Sequence, residues 1–148
     1  MSPQAGRFAR PGGLPRPLSR FTYDAGAGRY RNATTGRFVA ARDLPWPSNG
    51  GFATSSKETV LPGRLLDRFG SADGRFLGEP GASISARGMA PGTEQMPYNQ
   101  YRVLKPFATQ AGPAAAVPAF NAKGGAKQYL PGMTIQQLLD EGYLEVTR

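Results

Sequence analysis

Asn99-Gln100-Tyr101-Arg102-Val103-Leu104-Lys105-Pro106-Phe107 alternates with a period of two. Tyr101 and Val103, with Lys105, fall on one side, and Arg102 and Leu104 on the other. That is the pattern of a β-strand with one face turned to a core. Pro106 lacks a backbone N–H, so this strand is expected to end at a sheet edge. Downstream, Thr134-Ile135-Gln136-Gln137 has the form of a capping box, and Ile135, Leu138 and Leu139 share one helical face. A helix over 134–141 is expected, closed by Gly142, with Tyr143-Leu144-Glu145-Val146 as a terminal strand.

Outward from these two signals the body reads as strands and loops. Lys57–Leu61 and Arg64–Phe69 read as strands, with Gly70–Gly74 as a turn and Arg75–Leu77 as the return strand. Residues 78–97 hold Pro80, Gly81, Gly88, Pro91, Gly92 and Pro97 and read as a long loop, which in a compact domain is often functional. Ala108–Phe120 reads as a second loop, and Lys127–Leu130 as a strand after the pair Gly124-Gly125. The expected fold class is α+β: a small, mainly antiparallel β domain with long loops and one short C-terminal helix, preceded by a basic Pro/Gly/Arg-rich tail.

The charge is unevenly placed. The net charge is +8, but residues 1–42 carry eight arginines against a single acid, Asp24, while the rest carry ten basic and nine acidic residues. The body is therefore close to neutral, and the high pI belongs to the leading segment. Residues 1–20, rich in Pro, Gly and Arg, read as an extended linker. Arg29–Val39 reads as a short hairpin around Asn32–Gly36. Leu44-Pro45-Trp46-Pro47-Ser48-Asn49-Gly50-Gly51-Phe52 is a rigid entry loop, and Trp46, the only tryptophan, is expected to pack on the body. The boundary falls near 43, giving a basic linker or docking segment over 1–43 and a folded body over 44–148.

Neither histidine nor cysteine occurs in the chain. Ser-His-Asp and Cys-His catalysis, thiolate chemistry and His- or Cys-based metal sites are excluded. No membrane span, N-terminal secretory signal, P-loop or strand–GxGxxG–helix unit is present. What remains is carboxylate, amide, hydroxyl, arginine and lysine chemistry. Gln128, carrying a donor and an acceptor after the glycine pair, is a candidate for positioning rather than for titration. Arg68 and Arg87 are of the type that holds phosphate bidentately, although each alone reads as an ordinary surface residue.

Several motifs then run in one order: Trp46–Phe52, Asp67-Arg68-Phe69-Gly70, Gly74-Arg75-Phe76-Leu77, Pro97–Pro106, Gly124–Tyr129 and Leu138–Leu144. Over residues 44–148 this resembles the tuberculosis necrotizing toxin family of NAD(+) glycohydrolases, and Arg29–Val39 resembles a short element found just upstream of toxin domains. The resemblance implies cleavage of the nicotinamide–ribose bond of NAD+ or NADP+ as substrate, with no cofactor and no metal. It implies catalytic roles for Gln128, Arg68 and Asn99, and substrate contacts from Arg87, Phe76, Gly124, Gly125 and Tyr129. It departs at Asn99, where bacterial relatives carry a histidine in the Tyr-x-x-Tyr context. A secreted or delivered effector of interbacterial competition is implied, acting in the target-cell cytoplasm, with a cognate immunity protein. Residues 1–43 would dock it to a secretion system or parent toxin. The alternatives are a nucleic-acid-targeting module working through the basic segment, an ADP-ribosyltransferase, and an inactive relative.

Overall fold

The computed structural model describes residues 19–148; the linker expected over 1–20 therefore lies almost wholly outside the described residues. Three short strands come first: β1 (Phe21–Asp24), β2 (Arg29–Asn32) and β3 (Phe38–Val39), in the order β1-β2-β3. The side chain of Asp24 accepts from the Ala27 amide and pairs with Arg31, closing the first turn. Asn32 accepts from the Thr34 and Thr35 amides and closes the second, an Asx-type turn. The hairpin read at Arg29–Val39 is thus the outer half of a three-stranded sheet. Arg29 and Arg31 both lie over the Phe38 ring, at 4.0 and 4.1 Å from its centroid.

The body is a seven-stranded antiparallel sheet. It comprises β4 (Ser56–Val60), β5 (Leu65–Phe69), β6 (Leu77–Gly78), β7 (Tyr98–Val103), β8 (Phe107–Pro113), β9 (Lys127–Pro131) and β10 (Leu144–Val146). The order is β10-β7-β5-β6-β9-β8-β4. The one α-helix among the described residues, α1 (Ile135–Asp140), starts with the expected reciprocal cap: the Thr134 hydroxyl accepts from the Gln137 amide, and the Gln137 side chain accepts from the Thr134 amide. Ile135 and Leu138 go fully into the main core beside Val60, Leu66, Leu77, Tyr101, Val103, Phe107, Tyr129 and Leu144. The fold class read from the sequence, α+β with antiparallel strands dominant, is the observed one.

Three local expectations are corrected. Ala108–Phe120 is not a loop at its start, because β8 runs to Pro113 and pairs with both β4 and β9. Its core face is made of Phe107, Thr109 and Ala111, and small residues give a weak hydrophobic alternation. Pro106 does not mark an edge: β7 stops at Val103, Pro106 sits in the turn to β8, and the sheet edges are β10 and β4. The return strand read at Arg75–Leu77 is only the two residues of β6.

A second, smaller core joins the two sheets. Leu44, Ala90, Val117, Ala119, Phe120 and Ala122 are buried, with Phe21, Tyr30 and Val39 of the small sheet packed on them. Backbone bonds reinforce the contact: Arg20 N–H donates to the Ala119 carbonyl and Tyr23 N–H to that of Pro91, both at 2.7 Å.

Candidate active site

Residues from the small sheet, the entry loop, the β5–β6 turn, the 87–97 segment and β9 line one cavity of about 980 Å³. That is the upper range of small-ligand sites. Arg68, Phe76 and Gln128 all lie on its wall. Arg68 ends β5 and turns back over the Ser71–Phe76 turn. Its Nε donates to the Ser71 carbonyl at 2.7 Å and its Nη1 to the Phe76 carbonyl at 3.1 Å. Burial pushes its pKa below the ordinary arginine value, against an opposing pull from Tyr101, so the cation is held at some desolvation cost. No protein acceptor for Nη2 is found among the described residues. Phe76 is 36% exposed, its ring 6.0 Å from that of Phe52.

Gln128 stands in the middle of the sheet, opposite Gly78 on β6 and Gly112 on β8. Its Nε2 donates to the Gly51 carbonyl at 3.1 Å. A carbonyl can only accept, so this contact fixes which end of the amide is which. The acceptor Oε1 is left as the group Gln128 can offer to a ligand in the cavity.

The sequence reading missed Asp67. It is fully buried and pairs with Arg87 through two parallel bonds, Nη1 to Oδ1 at 2.6 Å and Nη2 to Oδ2 at 2.7 Å. Tyr98 donates to Oδ2 at 2.9 Å, and Gln100 donates to the Tyr98 hydroxyl. Burial, with Asp67 alongside, pushes the Tyr98 phenol above its ordinary value even though the bond from Gln100 acts the other way. Arg87 also donates from Nε to the Ala82 carbonyl and from Nη2 to that of Glu79. Its guanidinium carbon sits 4.9 Å over the Phe69 ring. Most of the guanidinium's donors are thus already used. The one available signal was Asp67 between Leu66 and Arg68 in a strand: a carboxylate in a half-buried strand needs a cation.

Four expected site residues lie elsewhere. Asn99 is the cross-strand neighbour of Arg68, but its amide donates to the Arg148 carbonyl at 3.2 Å and it is not on the cavity wall. Tyr129 is fully buried; its hydroxyl donates to Glu79 at 2.9 Å and accepts from Arg64. The Gly124 amide donates to the Ser85 carbonyl and that of Gly125 to the Ala114 carbonyl, so neither is left for a ligand. Both take left-handed backbone angles, and only Gly124 is also closely packed. Gly124 has φ +71°, and a Cβ there would lie 2.6 Å from the Ala114 oxygen, whereas a Cβ on Gly125 (φ +98°) would meet nothing within 4 Å. Gly124→Ala should therefore cost about 3 kcal/mol and Gly125→Ala only about 1 kcal/mol, from the left-handed backbone alone. Urea denaturation of the two variants checks the difference, and equal losses would count against the close approach.

The model of the family described as tuberculosis necrotizing toxin matches residues 59–147. The chain belongs to the tuberculosis necrotizing toxin family. It is 34% identical over 113 residues to the conidial surface nicotinamide adenine dinucleotide glycohydrolase nadA of Aspergillus fumigatus. That match covers 67% of this chain and 47% of the relative, so the chain spans about half the relative's length. The family fold is seen directly in the tuberculosis necrotizing toxin solved in complex with its immunity factor. It superposes with a TM-score of 0.57 at 20% identity, covering 74% of this chain and 63% of that one. The family-matched segment includes Arg68, Phe76, Arg87 and Gln128 but begins after Trp46 and the small sheet.

Proposed function

We propose that this domain is a toxin that hydrolyses NAD+, and NADP+ by the same chemistry, to nicotinamide and ADP-ribose. The observation that carries the reading is the convergence of Arg68, Phe76 and Gln128 on one cavity from three separate segments of a chain in this family. The nadA relative, named as a nicotinamide adenine dinucleotide glycohydrolase, supports the substrate.

The reaction suits a site without histidine. The bond from ribose C1′ to the nicotinamide nitrogen breaks, and its electron pair neutralises the pyridinium. A water oxygen bonds to C1′ and its proton passes to solvent. The leaving group needs no protonation, so positioning and electrostatics supply most of the barrier reduction. Arg68, with donors to spare, holds the pyrophosphate, and Arg87, locked to Asp67, shapes the wall beside it and contributes at most a single N–H. Phe76 walls in the nicotinamide. The Gln128 Oε1 accepts from a ribose hydroxyl or from the attacking water.

The purified chain should release nicotinamide from NAD+, with the label of adenine-labelled NAD+ recovered in free ADP-ribose. Label on protein would favour an ADP-ribosyltransferase, and no release at all would overturn the reading. With no His or Cys side chain anywhere in the chain, turnover should also stay flat between about pH 6 and 8; a bell-shaped profile there would mean that a titrating group is at work.

The immunity factor bound to the tuberculosis necrotizing toxin supports a protein inhibitor for this chain as well, and in this reading the protein is a delivered effector that depletes NAD+ in the cytoplasm of a target cell. In this reading 44–148 is the catalytic body and the basic residues before it serve delivery.

A further inference from the structure

We infer that Trp46 is the adenine platform of the substrate cavity, held in place by the small N-terminal sheet; the inference rests on the NAD+ reading above. The cavity wall has two chemically distinct parts. One carries Arg68, Phe76 and Gln128. The other carries Tyr23, Tyr30 and Trp46, with the uncharged Gly28, Pro47 and Gly50 around them. This second part lies entirely outside the family-matched residues 59–147.

Trp46 is fixed from several directions yet left open. Its indole N–H donates to the Ala41 carbonyl at 2.6 Å. Its ring meets Tyr30 at 6.4 Å and Phe120 at 5.6 Å, both edge-to-face. Tyr30 in turn packs on Tyr23 at 5.2 Å. The strand behind them is seated on the Pro91–Gly92 turn so closely that a Cβ on Gly92 would lie 2.1 Å from the Tyr23 oxygen. Nevertheless 47% of Trp46 remains exposed. A large aromatic that is locked and half open offers stacking area at little further ordering cost.

Adenine is neutral, flat and π-rich, and with the nicotinamide beside Phe76 it is the part of NAD+ left for this aromatic surface to stack on. The phosphates go with Arg68 and the reacting ribose with Gln128. The two parts of the wall are also joined: the Gly51 carbonyl that orients Gln128 belongs to the same loop as Trp46, only five residues along. Five residues span at most about 18 Å, so a single extended dinucleotide reaches both.

Trp46 is the only tryptophan of the chain, which makes its fluorescence specific to this site. Titrating the full chain with AMP should quench it, and nicotinamide mononucleotide should not. Trp46→Ala should raise KM for NAD+ roughly tenfold, the scale of one base–aromatic stack, with kcat changed by no more than about twofold. Trp46→Phe should restore most of the loss, which separates stacking from a folding defect. Quenching by nicotinamide mononucleotide and not by AMP, or a KM unmoved in Trp46→Ala, would overturn the assignment while leaving NAD+ hydrolysis intact. Absence of NAD+ turnover in the wild-type chain would overturn the function instead, and AMP quenching would still read the platform.

Discussion

Asp67→Ala should destabilise the fold by about 3–5 kcal/mol, the usual loss when one member of a buried ion pair is removed. For a chain of this size that lowers Tm by about 10 °C or more. Asp67 is completely buried and the Arg87 side chain is 9% exposed. Without the carboxylate the guanidinium keeps its bonds to the Ala82 and Glu79 carbonyls but loses the partner that balances its charge. The Tyr98 hydroxyl loses its acceptor at the same time. The double variant Asp67→Leu/Arg87→Met, which removes both charges, should recover a large part of the loss, because an apolar pair of similar volume leaves nothing unpaired. Thermal unfolding of the two proteins checks this. A Tm for Asp67→Ala within about 2 °C of the parent would mean that the pair is solvated after all.

Gln128→Ala should lower NAD+ turnover by about a hundredfold, the effect of deleting one well-placed polar group at a reacting centre. The protein should stay folded, since Gln128 is only partly buried and its one protein bond is to Gly51. Gln128→Glu keeps an acceptor but loses the donor to Gly51, so its turnover should fall less than that of Gln128→Ala. Initial-rate measurements on the three proteins, with circular dichroism to show that each is folded, decide it. Turnover in Gln128→Ala equal to the parent would remove Gln128 from the reaction.

The parts of the fold legible in the sequence are those specified locally. The capping box at Thr134–Gln137 satisfies its own backbone donors, so it could be read without tertiary information. The Tyr101/Val103 alternation likewise reports one core face directly. β8 was hidden for the opposite reason. Its buried positions include Thr109 and Ala111, chosen for fit between β4 and β9 rather than for hydrophobicity, and a Cβ on Gly112 would lie 2.0 Å from the Thr54 oxygen. Small residues demanded by neighbours look like a loop when the neighbours are unseen. Arg68, Phe76 and Gln128, which motif order singles out together, share one cavity wall. Asp67 was passed over because its partner Arg87 is twenty residues away, across a long loop; a carboxylate in a half-buried strand calls for a cation but does not say which one. Gly124 and Gly125 drew attention as a flexible pair near a ligand, whereas their backbone donors are consumed within the protein.

The two-residue strand β6 has a mechanical consequence. Among the described residues it is the sole ladder between the β10-β7-β5 block and the β9-β8-β4 block, touching β5 through one residue pair, Asp67 and Gly78, and β9 through two. The ladder is therefore narrowest at β6, with the shared core holding both sides, and Arg68 lies on one side of it while Gln128 lies on the other. Leu77 and Gly78 form part of the cavity wall directly at this line. A molecule that contacts both Arg68 and Gln128 spans this line and acts as a cross-brace, tightening the joint it sits on.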